Sequence, residues 1–328
     1  MFKNKGFRRS VFLFILLSLT SYSATAQDRK GKKKSTVPTG KAVLWEPVDT
    51  PSLDLFSGPG GVAMRPDLRR VEFIEEEKSG HNKKYRIRDA AGREWVAKLG
   101  SEARPETAAV RVLYGLGYKT EINYLAPTLT IPGKGTHENV RLEARPANVK
   151  RLDEWKWREN PFVGTNELQA LKIMMVFFTN WDLLDLQNKV LLVNNNGRYE
   201  HHYVISDLGA TFGKVGNNNL PIFFRLGRKT GDSAVWNEAG FISGVKDGMI
   251  DFDFKGKGRG LMENISVANG RWLVNRLRML SDKQIDDAFR AANFSPDEVE
   301  LYRIGFKARV DELDQATGRA ATAAGGRQ

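Results

Sequence analysis

The spacing of apolar and polar positions changes character near Pro146 and divides the chain into two unlike halves. From residue 71 to 100 the pattern has a period near two, broken by turn residues. It predicts strands over 71–76, 84–88 and 94–99, joined at Ser79-Gly80-His81-Asn82 and Asp89-Ala90-Ala91-Gly92. An antiparallel meander follows from that spacing. Next comes a helix with Pro105 in its first turn and an apolar stripe at Ala109, Val110, Leu113 and Leu116, then strands over 124–131 and 140–144.

Beyond Pro146 the helical period dominates. Asn166 is placed to cap a helix that is apolar nearly all round, through Leu168, Leu171, Met175 and Phe178, and such a helix belongs in a core. Strands over 189–193 and 202–206 then flank Asn194-Asn195-Asn196-Gly197, a hairpin turn. Ser281 with Gln284, and Ser295 with Glu298, read as capping boxes. The second opens a helix carrying Val299, Tyr302, Phe306, Val310 and Leu313 on one face.

The first 26 residues differ from both halves. Lys3, Lys5, Arg8 and Arg9 precede an apolar run from Val11 to Leu19, and Ala24-Thr25-Ala26 closes it, the order of a cleavable secretory signal. The run falls short of the roughly 20 residues that span a bilayer. Export to a periplasm or beyond the cell is the expectation. Without any cysteine, disulfides, thiol catalysis and thiolate metal sites are excluded, and so is a lipid anchor through cysteine.

The formal charge of +12 shrinks on inspection: four charges lie in the signal, and the block from Asp28 to Lys34 contributes four more. The rest is only mildly basic, and the seven tryptophans form no stacking platform, so no nucleic-acid partner is expected. The Arg29 to Lys34 stretch reads as a solvated linker or as a tether to an anionic lipid or envelope polymer. The expected layout is a signal at 1–26, a basic linker at 27–42, a sheet-and-helix lobe at 43–146, a helical lobe at 147–314 and a disordered tail at 315–328.

Four polar positions stand out against this frame. Lys98 sits late in the third strand, where taken alone it is a solvent-facing lysine. Glu106 shares a helix face with Ala109, Val110 and Leu113, and reads either as a first-turn acid favoured by the helix dipole or as the partner of a cation on the sheet. Asn180-Trp181-Asp182-Leu183-Leu184-Asp185-Leu186-Gln187-Asn188 leaves the end of the apolar helix with Trp and three Leu among its acids, so the loop should be partly buried. Asp207 precedes Leu208-Gly209 directly after an apolar strand, as a simple turn also allows. Lys255, Lys257 and Arg259 alternate with glycines in a loop that is either a linker or a binder of an anionic acceptor.

In this order, strand lysine, helix glutamate, Asp/Asn loop, hairpin and Asp-Leu-Gly, the chain resembles the protein-kinase-like superfamily over roughly 71–313. The likeness is greatest to the atypical branches: phosphatidylinositol kinases, HipA-type bacterial serine kinases and secretory-pathway casein kinases. The resemblance implies an α+β, two-lobed fold, with a small antiparallel sheet and one helix in the first lobe and helices in the second. It implies that Lys98 grips the phosphates of ATP or another nucleoside triphosphate and pairs with Glu106. By the same resemblance Asp182 accepts the proton of an acceptor hydroxyl, and Asp207 with Asn188 binds Mg²⁺ or Mn²⁺. Ser79, Gly80 and Lys83 would cradle phosphate from a turn that holds one glycine.

The family's asparagine normally stands five residues after its aspartate, which here is Gln187, one before Asn188; Asp185 is a further candidate ligand. That departure keeps a second expectation open, a pseudokinase that binds a nucleotide or phosphorylated ligand without turnover. A third is a basic envelope-binding protein with no small-molecule site.

Overall fold

The computed structural model describes residues 37–78, 82–216 and 228–325. Its first strand, β1 (Lys41–Val43), finds its partner only in the second half of the chain. The expected meander follows as β2 (Glu72–Glu77), β3 (Lys84–Arg88) and β4 (Glu94–Lys98), within a residue of the predicted bounds. After α1 (Ala103–Gly115) come β5 (Asn123–Ile131) and β6 (Gly135–Ala144). The five strands pair antiparallel in the order β2-β3-β4-β6-β5.

The two faces of this sheet are unlike. Tyr85, Ile87, Trp95, Ala97, Tyr124, Val140 and Leu142, with Phe73 beside them on β2, make an apolar face packed against Met64 and Leu68. Strand alternation sends Lys98, Arg141 and Glu143 the other way, and register sets Arg141 opposite Lys98. All three are buried, a situation that proteins tolerate only when charges are paired. α1 lies on this charged face, where Arg111 donates to the Asn123 side chain at 3.0 Å, while its Ala108, Ala109, Val112 and Leu113 join the helical core.

The C-terminal part is mainly helical, with α2 (Asn166–Phe177), α3 (Ser233–Glu238), α4 (Val267–Leu277), α5 (Asp282–Arg290) and α6 (Pro296–Gly325). It also holds a sheet ordered β1-β9-β8-β7, built from β7 (Val149–Arg151), β8 (Asn188–Asn195) and β9 (Arg198–Ile205), and a hairpin of β10 (Ile242–Lys246) and β11 (Met249–Phe252). Asn196 and Gly197 both take positive φ, as a two-residue hairpin turn requires. α2 is buried as expected. Phe177 and Phe178 from its end meet Phe212, Trp236, Phe289, Tyr302 and Phe306, with the Phe289 and Tyr302 rings stacked at 4.3 Å.

Three details differ from expectation. Thr165, extended at ψ 153°, caps α2 by accepting from the Leu168 N–H, and Asn166 becomes the first helical residue. β1 pairs in parallel with β9, while Trp45, Glu46 and Thr50 donate to the carbonyls of Leu116, Gly117 and Gly115, so the segment expected in the first lobe joins both halves. α6 continues through Gly325 past the expected tail boundary at 315, with Thr317 buried. Alanine, common in this stretch, is the best helix former. Both expected capping boxes are present. No helix among the described residues is long and apolar enough to cross a membrane. The expected signal, the basic block at 29–34, Ser79 and Gly80 lie outside the described residues.

Candidate active site

β4 ends at Lys98, Gly100 turns the chain with φ +102°, and α1 begins at Ala103. This short connection brings Glu102 and Glu106 back over the strand's last residue. The Lys98 ammonium lies 3.0 Å from Glu106 Oε2, 3.0 Å from Glu102 Oε2 and 3.2 Å from Asp207 Oδ1. Lysine and glutamate are 3% and 1% exposed, so the solvent-facing reading of Lys98 fails. Burial disfavours its charge, but Glu106 and then Asp207 more than offset that, and the amine is held above its ordinary range. Burial pushes Glu106 upward in turn, opposed by Arg141 and Lys98.

Asp207 arrives from the end of β9. Its Oδ1 accepts from the Gly209 N–H at 3.3 Å. Gly209 is required here, because a Cβ on it would stand 2.5 Å from Glu102 Cβ. The close approach of the Asp-Leu-Gly turn to the start of α1 therefore depends on the missing side chain. Asn82, just before β3, donates to Glu102 and joins the same cluster.

The cluster continues through residues that the sequence reading passed over. Arg141 Nε lies 3.1 Å from Glu106, and Arg141 Nη2 bonds Glu143 at 2.9 Å. Arg145 and Arg151 both reach Glu143, and Arg151 also pairs with Glu121 and donates to Ser206 Oγ at 2.7 Å. Ser206 precedes Asp207, so the chain of charges returns to where it began. Of the coupled carboxylates, burial and then Glu143 push Glu121 up to about 7, whereas the arginines hold Glu143 well below its usual range despite burial. The signal was present in Val140-Arg141-Leu142-Glu143-Ala144: alternating charges on a strand share the face of Lys98.

Asp182 belongs to a second group. The chain leaves α2 through Thr179 at φ +54°, and the Asp182 N–H donates to Asn180 Oδ1 at 2.9 Å. Asp182 Oδ1 accepts from Lys257 Nζ at 2.6 Å, and Oδ2 from Gln187 Nε2 at 2.7 Å. Gln187 also takes the Ser206 N–H on its carbonyl at 2.7 Å, linking this group to the strand end that carries Asp207.

The remaining candidates lie outside the Asp182 group, although Asn188 Oδ1 is buried without a hydrogen-bond partner. Asn188 is fully buried and donates to the Trp155 carbonyl at 3.0 Å, and the exposed Asp185 accepts from the Trp157 N–H at 2.9 Å. Both secure the Trp155 to Trp157 segment, so the amide that shares a group with Asp182 is Gln187 and not Asn188. Lys83 is exposed and lies over the Tyr85 ring, on the sheet's apolar side.

Among the described residues no three His, Asp or Glu side chains gather as a ready metal cage. The donors fit a hard cation in kind: the Asp207 carboxylate is 41% exposed, and Gln187 offers an amide oxygen. They are few, which suits Mg²⁺, an ion that takes one or two carboxylates and completes its shell with phosphate and water.

No family model matches this chain, and no curated protein does. Among solved structures it is similar to the crystal structure of a Helicobacter pylori proinflammatory kinase, CtkA, at 11% identity and a TM-score of 0.45, over 80% of this chain and 99% of that one. The correspondence is loose, and the reading of the site rests on its own geometry.

Proposed function

We propose that this chain is an exported phosphotransferase that moves a phosphoryl group from a nucleoside triphosphate, ATP in the first instance, to a hydroxyl of a protein, lipid or sugar. The observation that carries the reading is the Lys98 ammonium, buried and shared by Glu106 and Asp207, residues 8 and 109 positions away. A strand lysine has no packing reason to hold three carboxylates, and phosphoryl transfer needs this kind of pre-placed charge.

In this reading Lys98 releases Asp207 or Glu102 to grip the donor's phosphates, and Glu106 with Arg141 behind it keeps the amine in place. Asp182, oriented by Gln187 and Asn180, takes the proton of the attacking hydroxyl. Asp207 and Gln187 would hold Mg²⁺ or Mn²⁺, whose chemistry is to neutralise phosphate charge and align the phosphoryl group. A second reading, nucleotide binding without turnover, is favoured by glutamine in the asparagine's place and by the described residues placing no three His, Asp or Glu side chains to hold a metal. Export implies a mature chain starting at Gln27, and the basic charge of the block at 29–34 suits an anionic lipid or polymer.

The test is thermal unfolding of the mature chain with ATP and Mg²⁺ or Mn²⁺. A ligand at 100 times its Kd stabilises by about 2.7 kcal/mol, and Asp207→Ala abolishes the shift. The unliganded variant stays folded, because Glu106 and Glu102 still pair Lys98. An unsubstituted protein with no shift for any nucleotide and metal contradicts the reading.

A further inference from the structure

The proposed function gives Lys257 no role, yet the fold goes to some length to place it. It reaches Asp182 from 75 residues downstream, within Gly256-Lys257-Gly258. The Lys257 N–H donates to the Trp181 carbonyl at 2.9 Å, and residues 182 and 257 pair as a parallel bridge. Both glycines are needed for that approach. A Cβ on Gly256 would lie 2.8 Å from Trp181 Cα and 2.4 Å from the Phe254 ring, while one on Gly258, at φ +73°, would lie 2.4 Å from the Leu183 carbonyl oxygen. Buried Phe254 and Leu261 pin the segment on either side, and Arg158 donates to the Gly260 carbonyl at 2.7 Å.

The pair itself is open. The side chains of Lys257 and Asp182 are 36% and 24% exposed, so the ion pair adds little stability and does not explain a backbone built so closely around it. An ammonium has three N–H donors, of which Asp182 takes one. Arg228 stands over the Trp181 ring at 5.7 Å, and Arg259 projects into solvent two residues on, so the surroundings are cationic.

We propose that Lys257 is a further catalytic residue, the cation that meets the phosphoryl group in transit on the Asp182 side of the site. The inference rests on the phosphotransferase reading. In the step, the acceptor oxygen forms a bond to the terminal phosphorus, the bond from that phosphorus to the bridging oxygen breaks, and the nucleoside diphosphate leaves with the electron pair. The hydroxyl proton passes to the Asp182 carboxylate. Lys257 stays protonated and sets its charge against the oxygens of the moving group. Lys98 grips the donor from the sheet, and Lys257 faces the transferred group from the helical half.

The experiment compares the full mature chain with Lys257→Met and Lys257→Arg, measuring thermal stabilisation by ATP and Mg²⁺ alongside phosphate release and self-labelling from γ-labelled ATP. Lys257→Met is expected to keep its unliganded melting temperature and its nucleotide-induced shift, and to lose about 100-fold in turnover, the scale of removing one charge-stabilising group. Lys257→Arg retains part of the rate. Turnover by Lys257→Met within threefold of the unsubstituted chain overturns the proposal. So does an unsubstituted chain that binds ATP in an Asp207-dependent way yet never turns it over, the lysine then being a lock on Asp182. A chain that neither binds nor turns over nucleotide removes the proposal together with the reading beneath it. If Lys257→Met fails to fold, Lys257→Gln takes its place, and turnover within threefold of the unsubstituted chain overturns the proposal.

Discussion

Lys98 and Lys257 both sit on aspartates, but in opposite surroundings. Lys98 is buried beneath a sheet with three carboxylates around its amine and Arg141 behind them, whereas Lys257 lies at a half-open loop with one carboxylate. Buried charges depend on one another, since removing a partner strands its mate away from water. Exposed pairs come apart at small cost. The first group is therefore as much part of the fold as of the site, and the second is separable from it.

Glu106→Ala breaks the comparison at its strongest point. It leaves Lys98 and Arg141 short of a buried counter-charge, and a loss of about 3–5 kcal/mol in urea unfolding is expected. A loss below about 1 kcal/mol would show that Glu102, Asp207 and Glu143 suffice without it. Gly258→Ala sharpens the contrast. It places a Cβ against the Leu183 carbonyl at a positive φ, so it should destabilise by about 1–3 kcal/mol and reduce turnover while leaving the ATP-induced shift in place. Equal loss of both would mean that the two groups are not separable.

A further effect is one of pH. Glu121 is raised from 4.5 to about 7, so between those values the folded chain holds a proton that the unfolded chain has released. Its contribution to stability is complete below about 4.5 and is lost as pH rises through 7. The melting temperature should fall from pH 5 to pH 8 by this route, and Glu121→Gln should flatten the fall. Parallel curves for the two proteins would place the proton elsewhere.

Much of the first half was legible because its turns are spelled by Asp, Asn and Gly and its strands by alternation: β3 has the predicted bounds, and β2 and β4 are within a residue of theirs. Capping boxes marked α5 and α6 for a similar reason, each being a local hydrogen-bond pattern. β1, β7 and α3 were not legible. Strands of three residues and a helix of six carry too few positions to show a period, and β1 exists only through its partner about 160 residues away.

The site divides along the same line. Lys98 and Glu106 are joined by one short connection; the periods left their pairing open, and only the resemblance implied it. Alternation in β6 puts Arg141 and Glu143 on one face, but that they join the cluster, with Arg151, is settled only once β6 lies beside β4 and β7 beside β8. The choice between Gln187 and Asn188 turns on which side chain meets Asp182, one residue apart, which no spacing rule resolves. Lys257 was noted as part of a glycine-rich basic loop, but its seat on Asp182 depends on backbone approaches that only the folded chain reveals.

The convergence of Lys98 and Asp207 on a polyphosphate is tested most directly by a crystal structure of the mature chain with a non-hydrolysable ATP analogue and Mn²⁺. The account predicts an anomalous manganese peak on Asp207, with the analogue's phosphates in contact with Lys98 and its terminal phosphate facing Asp182 and Lys257. Nucleotide bound away from Lys98, or none bound at saturating concentration with Lys98 still held by its three carboxylates, would contradict it.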